Sequence, residues 1–253
     1  LRREGTQGVV RIQSTLDAPL QRAIEGVVSQ RLERLRSRRV SNAAVLVMDN
    51  QSGDILAWVG SGSFSRKESH GQVDGVVALR QPGSALKPFT YALAMEHGYT
   101  AATVMDDVET NYTLGNGQSF TPRNYSGRMH GPVRLRNALA SSLNIAAFHA
   151  ARHVGYATLL ERFKRFGFHS LAQEADHYGL GITMGNGEVR LLDLVTAYAS
   201  LARGGELLEP RLFTSYTLQN GKRVEAPPRI PTKVLEHDVA LLISNILKDP
   251  GAR

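Results

Sequence analysis

A serine hydroxyl attacks a carbonyl only when a neighbouring base takes its proton, and segment 80–89 (RQPGSALKPF) places both residue types one helical turn apart. Pro82 and Gly83 force a turn, and the apolar-rich stretch that follows reads as a helix, so Ser84 falls at a helix N-terminus. Backbone N–H groups there favour an anion. Lys87 lies three residues on, on the same face. A lysine serves as a base once burial or a neighbouring positive charge lowers its pKa. Nucleophile, base and part of an oxyanion site are thus gathered in one short segment.

Ser-x-x-Lys is a weak pattern by itself. Eighteen serines and six lysines give roughly 0.4 chance matches in a chain of this length. A helix cap beside a solvated lysine would look the same. The second constellation, Ser142-x-Asn144, is the only Ser-x-Asn in the sequence and sits on an expected helix. A hydroxyl and an amide two residues apart can enter one cleft, the first to relay a proton and the second to hold a substrate amide.

Other candidates carry less. His149 and His153 stand at i, i+4, a spacing that could ligate a metal, but no third ligand accompanies them. Gly185-Asn186-Gly187 lacks the further glycine and the preceding strand of a dinucleotide loop, and Gly60-Ser61-Gly62-Ser63 lacks the Lys-Ser/Thr of a phosphate loop. No metal or organic cofactor is expected.

The elements that must position these residues alternate irregularly. Residues 9–15 read as a strand, and Asp17 caps the following helix with Pro19 in its first turn. Apolar runs at 43–49 and 55–59 flank a Gly-containing turn and read as a hairpin buried in the centre of a sheet. Residues 61–72 read as a loop and 84–97 as a helix stopped by Gly98. The stretch 102–132 is rich in Asn, Gly, Pro and Tyr and has no sustained period. Helices are expected at 134–154, 156–166, 189–203 and 235–248, with a strand at 210–218 and a Pro-rich linker at 219–232. Without internal repeats or βαβ alternation, the class is α+β with an antiparallel sheet.

Composition sets bounds. The 253 residues can bury a full core, and the absence of cysteine excludes a thiol nucleophile, Cys-ligated zinc and disulfides. The net charge is +7, of which residues 1–39 carry +5. That segment is an entry strand and an amphipathic helix, with Leu20, Ile24, Val27, Val28, Leu32 and Leu35 on one side and arginines facing water. The excess is therefore local, and no nucleic-acid partner is expected. No run reaches the length of a membrane span, and residues 1–8 are not a signal peptide. The chain begins without Met, which suggests a piece of something larger.

With Ser84-x-x-Lys87 and Ser142-x-Asn144 in hand, the sequence resembles the penicillin-binding proteins, whose signature pairs Ser-x-x-Lys with a Ser-x-Asn type motif and Lys-Thr-Gly. RIQSTLDAPLQ is similar to the start of the transpeptidase domain in bifunctional class A members, and AAVLVMDNQSGDILAWVGS to their first hairpin. VDGVVALRQPGSALKPFTYALAMEHG resembles the 1C type in particular. NYSGRMHGPVRLRNALASSLNIAAF and GLGITMGNGEVRLLDLVTAYASLARGG resemble later family segments, so the likeness runs in order through residues 1–253.

The resemblance implies a serine-acylating fold with a five-stranded antiparallel sheet flanked by helices. It implies Ser84 as the acylated nucleophile, Lys87 as its base, Ser142 as proton relay and Asn144 as the contact to substrate. The partners it implies are peptidoglycan stem peptides ending in D-Ala-D-Ala, an amine acceptor and β-lactams, at the periplasmic face of the inner membrane. Fuller members add an N-terminal membrane anchor and a glycosyltransferase domain, neither of which is in these residues. Neither Lys-Thr-Gly nor Lys-Ser-Gly occurs; NILKDPGAR resembles the helix before that motif, so the domain is expected to stop short of it, with the motif following Arg253. Two alternatives use the same acyl-enzyme: a carboxypeptidase or β-lactamase that deacylates with water, and a noncatalytic β-lactam sensor.

Overall fold

The computed structural model describes residues 8–113 and 119–253. The helices are α1 (Ala18–Leu35), α2 (Lys87–Glu96), α3 (Leu135–Ala140), α4 (Asn144–Val154), α5 (Tyr156–Arg165), α6 (Ala175–Tyr178), α7 (Leu191–Ala202) and α8 (His237–Lys248). Two compact units contain them. One runs up to Ala78 and resumes over Leu208–Thr232; the other holds Leu79–Leu207 and Lys233–Arg253.

The first unit is a strand-rich body around α1. Strand Val9–Ser14 pairs antiparallel with Phe213–Leu218, which also pairs with Arg223–Glu225. The last of these lies inside the stretch expected to be linker. Val45–Met48 and Ile55–Val59 form the hairpin, with the ladder shifted between Val47 and Met48. The expected single five-stranded sheet is not what forms: the described strands make sheets of two and three. Nor is the hairpin central on both faces, since Val45, Val47 and Met48 are only half-buried while Ile55, Ala57 and Val59 alternate inward. One edge of that hairpin is covered by a side chain. The Gln21 amide accepts from Trp58 N (2.8 Å) and donates to Trp58 O (3.0 Å), taking the place of a further strand. Asp17 caps α1 by accepting from Leu20 N at 2.9 Å.

A bidentate ion pair fixes the hairpin turn. Asp54 accepts from Arg211 Nε (2.6 Å) and a second Arg211 nitrogen (2.7 Å), and from Arg229 at 3.3 Å. These guanidinium groups hold the Asp54 carboxyl below the usual carboxylate range.

The second unit is helical, and α2 lies at its centre. Every residue from Lys87 to Met95 is buried, so this helix has no polar face and can only be a core element. Its neighbours are α3, α4, α5 and α8. Phe89 packs against Phe166, Phe168 and Tyr198 at centroid distances of 5.0, 5.5 and 5.2 Å, in tilted and edge-on geometry. Strand Val104–Asp107 pairs with Gly131–Arg134, giving order to a region that shows no period in the sequence.

Candidate active site

Ser84 stands in a single 3₁₀ turn, Gly83–Leu86, that leads directly into α2. Gly83 has φ of +58°, which places Ser84 at the mouth of the turn and requires a residue without a Cβ penalty. The turn is clamped from three sides. Arg80 exchanges both backbone hydrogen bonds with Val189, at 3.0 and 2.9 Å. The Tyr198 hydroxyl donates to Ala85 O at 2.9 Å, and burial pushes that phenol up to about 12. Gly185, at φ +69°, lies so close that a Cβ built on it would sit 2.4 Å from Gly83 N and 2.5 Å from Gly83 O. The Gly185-Asn186-Gly187 stretch, uninformative as a dinucleotide loop, thus supplies backbone against which the serine turn rests. Ser84 itself is exposed.

Lys87, the first residue of α2, is 1 % exposed. Its ammonium donates to Ser142 O (2.6 Å), Ser142 Oγ (3.1 Å) and Asn144 Oδ1 (2.6 Å). No carboxylate is among these partners. Desolvation lowers the Lys87 pKa to about 8. Lys87, Ser142 and Asn144 are therefore brought together. Ser84 is joined to Lys87 through the backbone, where Lys87 N donates to Ser84 O; among the described residues no side-chain hydrogen bond links the pair.

The expected helix at 134–154 is broken at the second motif. Its first residue, Arg134, belongs to the strand Gly131–Arg134, α3 ends at Ala140, and α4 begins at Asn144. Ser142 occupies the left-handed region at φ +54°, one of three non-glycine residues with positive φ among those described. Such a conformation costs about 1 kcal/mol or more and persists only when surroundings impose it. It turns the Ser142 carbonyl and hydroxyl together toward Lys87.

Asn144 is held at its other groups. Its Nδ2 donates to Arg123 O at 2.7 Å, and its backbone N donates to Asn124 Oδ1 at 2.8 Å. Asn124 donates in turn to both oxygens of Asp107 (2.8 Å each) and to Arg128 O at 2.9 Å. Asp107 is fully buried and also accepts from His130 N (2.9 Å) and pairs with His130 Nδ1 (2.7 Å). Neither Asn124 nor Asp107 stands out in the sequence. Both fall in the aperiodic stretch, where nothing in residue type or spacing separates them from other loop polar residues.

The histidine pair does not converge. His153 stacks on Tyr99 and bonds His97 O at 2.8 Å, while His149 lies edge-on to Tyr112 with its Nε2 buried. Among the described residues no cluster of three or more His, Cys, Asp or Glu could hold a metal, and no helix is long and apolar enough to cross a membrane.

The geometry has counterparts. Residues 43–249 match the family model "Penicillin binding protein transpeptidase domain". The chain belongs to that family of transpeptidase domains. Among curated relatives, penicillin-binding protein 2D of Bacillus subtilis is 29% identical over 93% of this chain and 33% of its own length. Penicillin-binding protein 1C of Escherichia coli is 32% identical over 80% and 26%, and penicillin-binding protein 1A of Neisseria meningitidis 35% over 74% and 23%. Identities this even correct the narrower 1C expectation: no one type stands out. The chain spans a third or less of these relatives' length. Penicillin-binding protein 1A of Haemophilus influenzae shares the fold at a TM-score of 0.72 and 25% identity, over 83% of this chain and 36% of that one. PonA1 of Mycobacterium tuberculosis does so at 0.78 and 22%, over 95% and 63%.

Proposed function

We propose that this chain carries the acyl-transfer centre of a peptidoglycan transpeptidase. In this reading the Ser84 hydroxyl attacks the penultimate D-Ala carbonyl of a stem peptide ending in D-Ala-D-Ala. Neutral Lys87 takes the serine proton, the C–N bond to the terminal D-Ala breaks, and the amine leaves with a proton passed through Ser142. The resulting ester is then attacked by an acceptor amine, which forms the crosslink and returns the proton to the lysine–serine pair. The Ser84 N–H at the start of the helical turn offers one donor to the oxyanion. Asn144 still has one N–H and one lone pair beyond the contacts described, enough to hold a substrate peptide group. β-Lactams, mimicking the D-Ala-D-Ala end, would acylate the same hydroxyl. The proposed location is the periplasmic face of the inner membrane, where stem peptides are found.

The observation that carries this reading is the buried, carboxylate-free Lys87. Its ammonium lies between Ser142 and Asn144, on the helix that the Ser84 turn begins. A structural lysine would pair with an acid or reach solvent; a base must be able to lose its charge. The test is covalent labelling of the full protein with benzylpenicillin, followed by intact mass and peptide mapping. One adduct on the Ser84 peptide is expected, and none on Ser84→Ala. An equal adduct on Ser84→Ala overturns the reading. With a D-Ala-D-Ala peptide and an added amine, crosslinked product rather than free acid distinguishes transfer from hydrolysis.

A further inference from the structure

The Asn124 amide is oriented without ambiguity. Its nitrogen faces three acceptors, the two Asp107 oxygens and Arg128 O, so its oxygen must face the start of α4. There it accepts from Asn144 N at 2.8 Å and Ile145 N at 3.4 Å, satisfying donors that a helix start leaves free. Leu143, the residue before the helix, supplies no side-chain cap, so this remote amide takes that role. Both members are removed from water: Asp107 is 0 % and Asn124 6 % exposed. A buried carboxylate is retained only where hydrogen bonds satisfy it, and Asp107 has the Asn124 amide and the His130 backbone and ring on it.

We propose that Asp107 and Asn124 are positioning residues for the acyl-transfer centre: Asp107 locks the Asn124 amide, Asn124 fixes the first residue of α4, and Asn144 thereby keeps Oδ1 on the Lys87 ammonium. This rests on the reading of Ser84 and Lys87 given above. Neither residue touches the reacting atoms. They act by holding the second motif at the distance from the lysine on which proton transfer depends, and displacement of such a group by about an ångström can cost on the order of a hundredfold in rate.

A double-mutant cycle on benzylpenicillin acylation of the full protein tests this. Asn124→Ala and Asp107→Asn are each expected to slow acylation by about ten- to a hundredfold. Because both act through Asn144, combining either with Asn144→Ala should be no slower than Asn144→Ala alone. Additive losses would show that the two residues act elsewhere, and wild-type rates in both would remove any role; each result overturns the proposal. Failure of both single variants to fold, read by thermal unfolding, also overturns it, because the network would then be structural. Ser84→Ala is carried alongside. If it still acylates, the underlying reading fails; if it does not and the cycle is additive, only the positioning role fails.

Discussion

A lysine in water holds its proton to about pH 10.4, whereas Lys87 releases it near 8 because almost no solvent reaches its ammonium. Its three contacts suit both forms: the ammonium donates to all three, and the neutral amine can donate to the two carbonyl oxygens and accept from the Ser142 hydroxyl. At pH 7 about one molecule in ten is then neutral and able to take the serine proton. The acylation rate should climb about tenfold per pH unit below 8 and level off above it; a profile flat from pH 6 to 9 would exclude Lys87 as the base. Lys87→Arg keeps the charge but cannot lose it, and should slow acylation by about 10²–10⁴-fold. Stability follows the same proton with the sign of a depressed lysine. Between about pH 8 and 10.5 the unfolded chain binds more protons than the folded one, so this group's contribution improves as pH rises through that window.

The elements around the site show what local sequence can and cannot specify. Residues 83–98 are legible because Pro82 and Gly83 start the helix, Gly98 stops it, and the stretch between is rich in apolar residues. The break between α3 and α4 is not legible. Ser141, Ser142 and Leu143 contain neither Gly nor Pro, and the apolar pattern runs through them. Ser142 is left-handed where Ser142 N and Leu143 N close back onto Leu139 O and Ala138 O, with Lys87 and Asn124 holding the turn and the restart from outside. The 102–132 stretch fails for a related reason, since its one buried carboxylate, Asp107, looks like any polar loop residue until the fold encloses it. Gly185 is the opposite case, a glycine easily seen whose need is set by a partner about a hundred residues earlier in the chain, Gly83. Gly185→Ala should drive the serine turn outward. Overpacking against backbone, with positive φ on top, costs about 1–3 kcal/mol, or a drop of several degrees in Tm. Acylation should fall with it, and a variant of unchanged Tm and rate would show that the close approach relaxes freely.

At the scale of the molecule, α1 itself carries little of the charge excess of the first 39 residues, since Arg22, Arg31 and Arg34 are offset by Glu25 and Glu33. The exposed Arg36, Arg38 and Arg39 just after it carry more, while α1 packs on the hairpin strand Ile55–Val59. What closes this unit is the ion pair of Asp54 with Arg211 and Arg229, residues more than 150 positions away. Asp54→Asn leaves two partly buried guanidinium groups without a counter-charge and should lower Tm by a few degrees. The Asp54 pKa lies below its unfolded value, so this stabilisation is present above about pH 4 and fades as acid protonates the carboxylate. The Tm gap between wild type and variant should therefore close on acidification. A gap that persists at pH 2–3 would point to packing instead.

The same discontinuity bears on synthesis. Among the described residues, strand Val9–Ser14 pairs with Phe213–Leu218 alone, and Ser14 bonds Leu212 across 198 positions. Ribosomes add about 5–20 residues each second, so the early strand emerges on the order of 10–40 s before the segment that pairs with it. In that interval Leu79–Leu207 of the helical unit emerges, while α8, which packs on α2, is made only after the returning strand. Each unit therefore waits for a late segment, the first for Leu208–Thr232 and the second for Lys233–Arg253, and the backbone edge of Val9–Ser14 stays open to wrong partners until its own arrives.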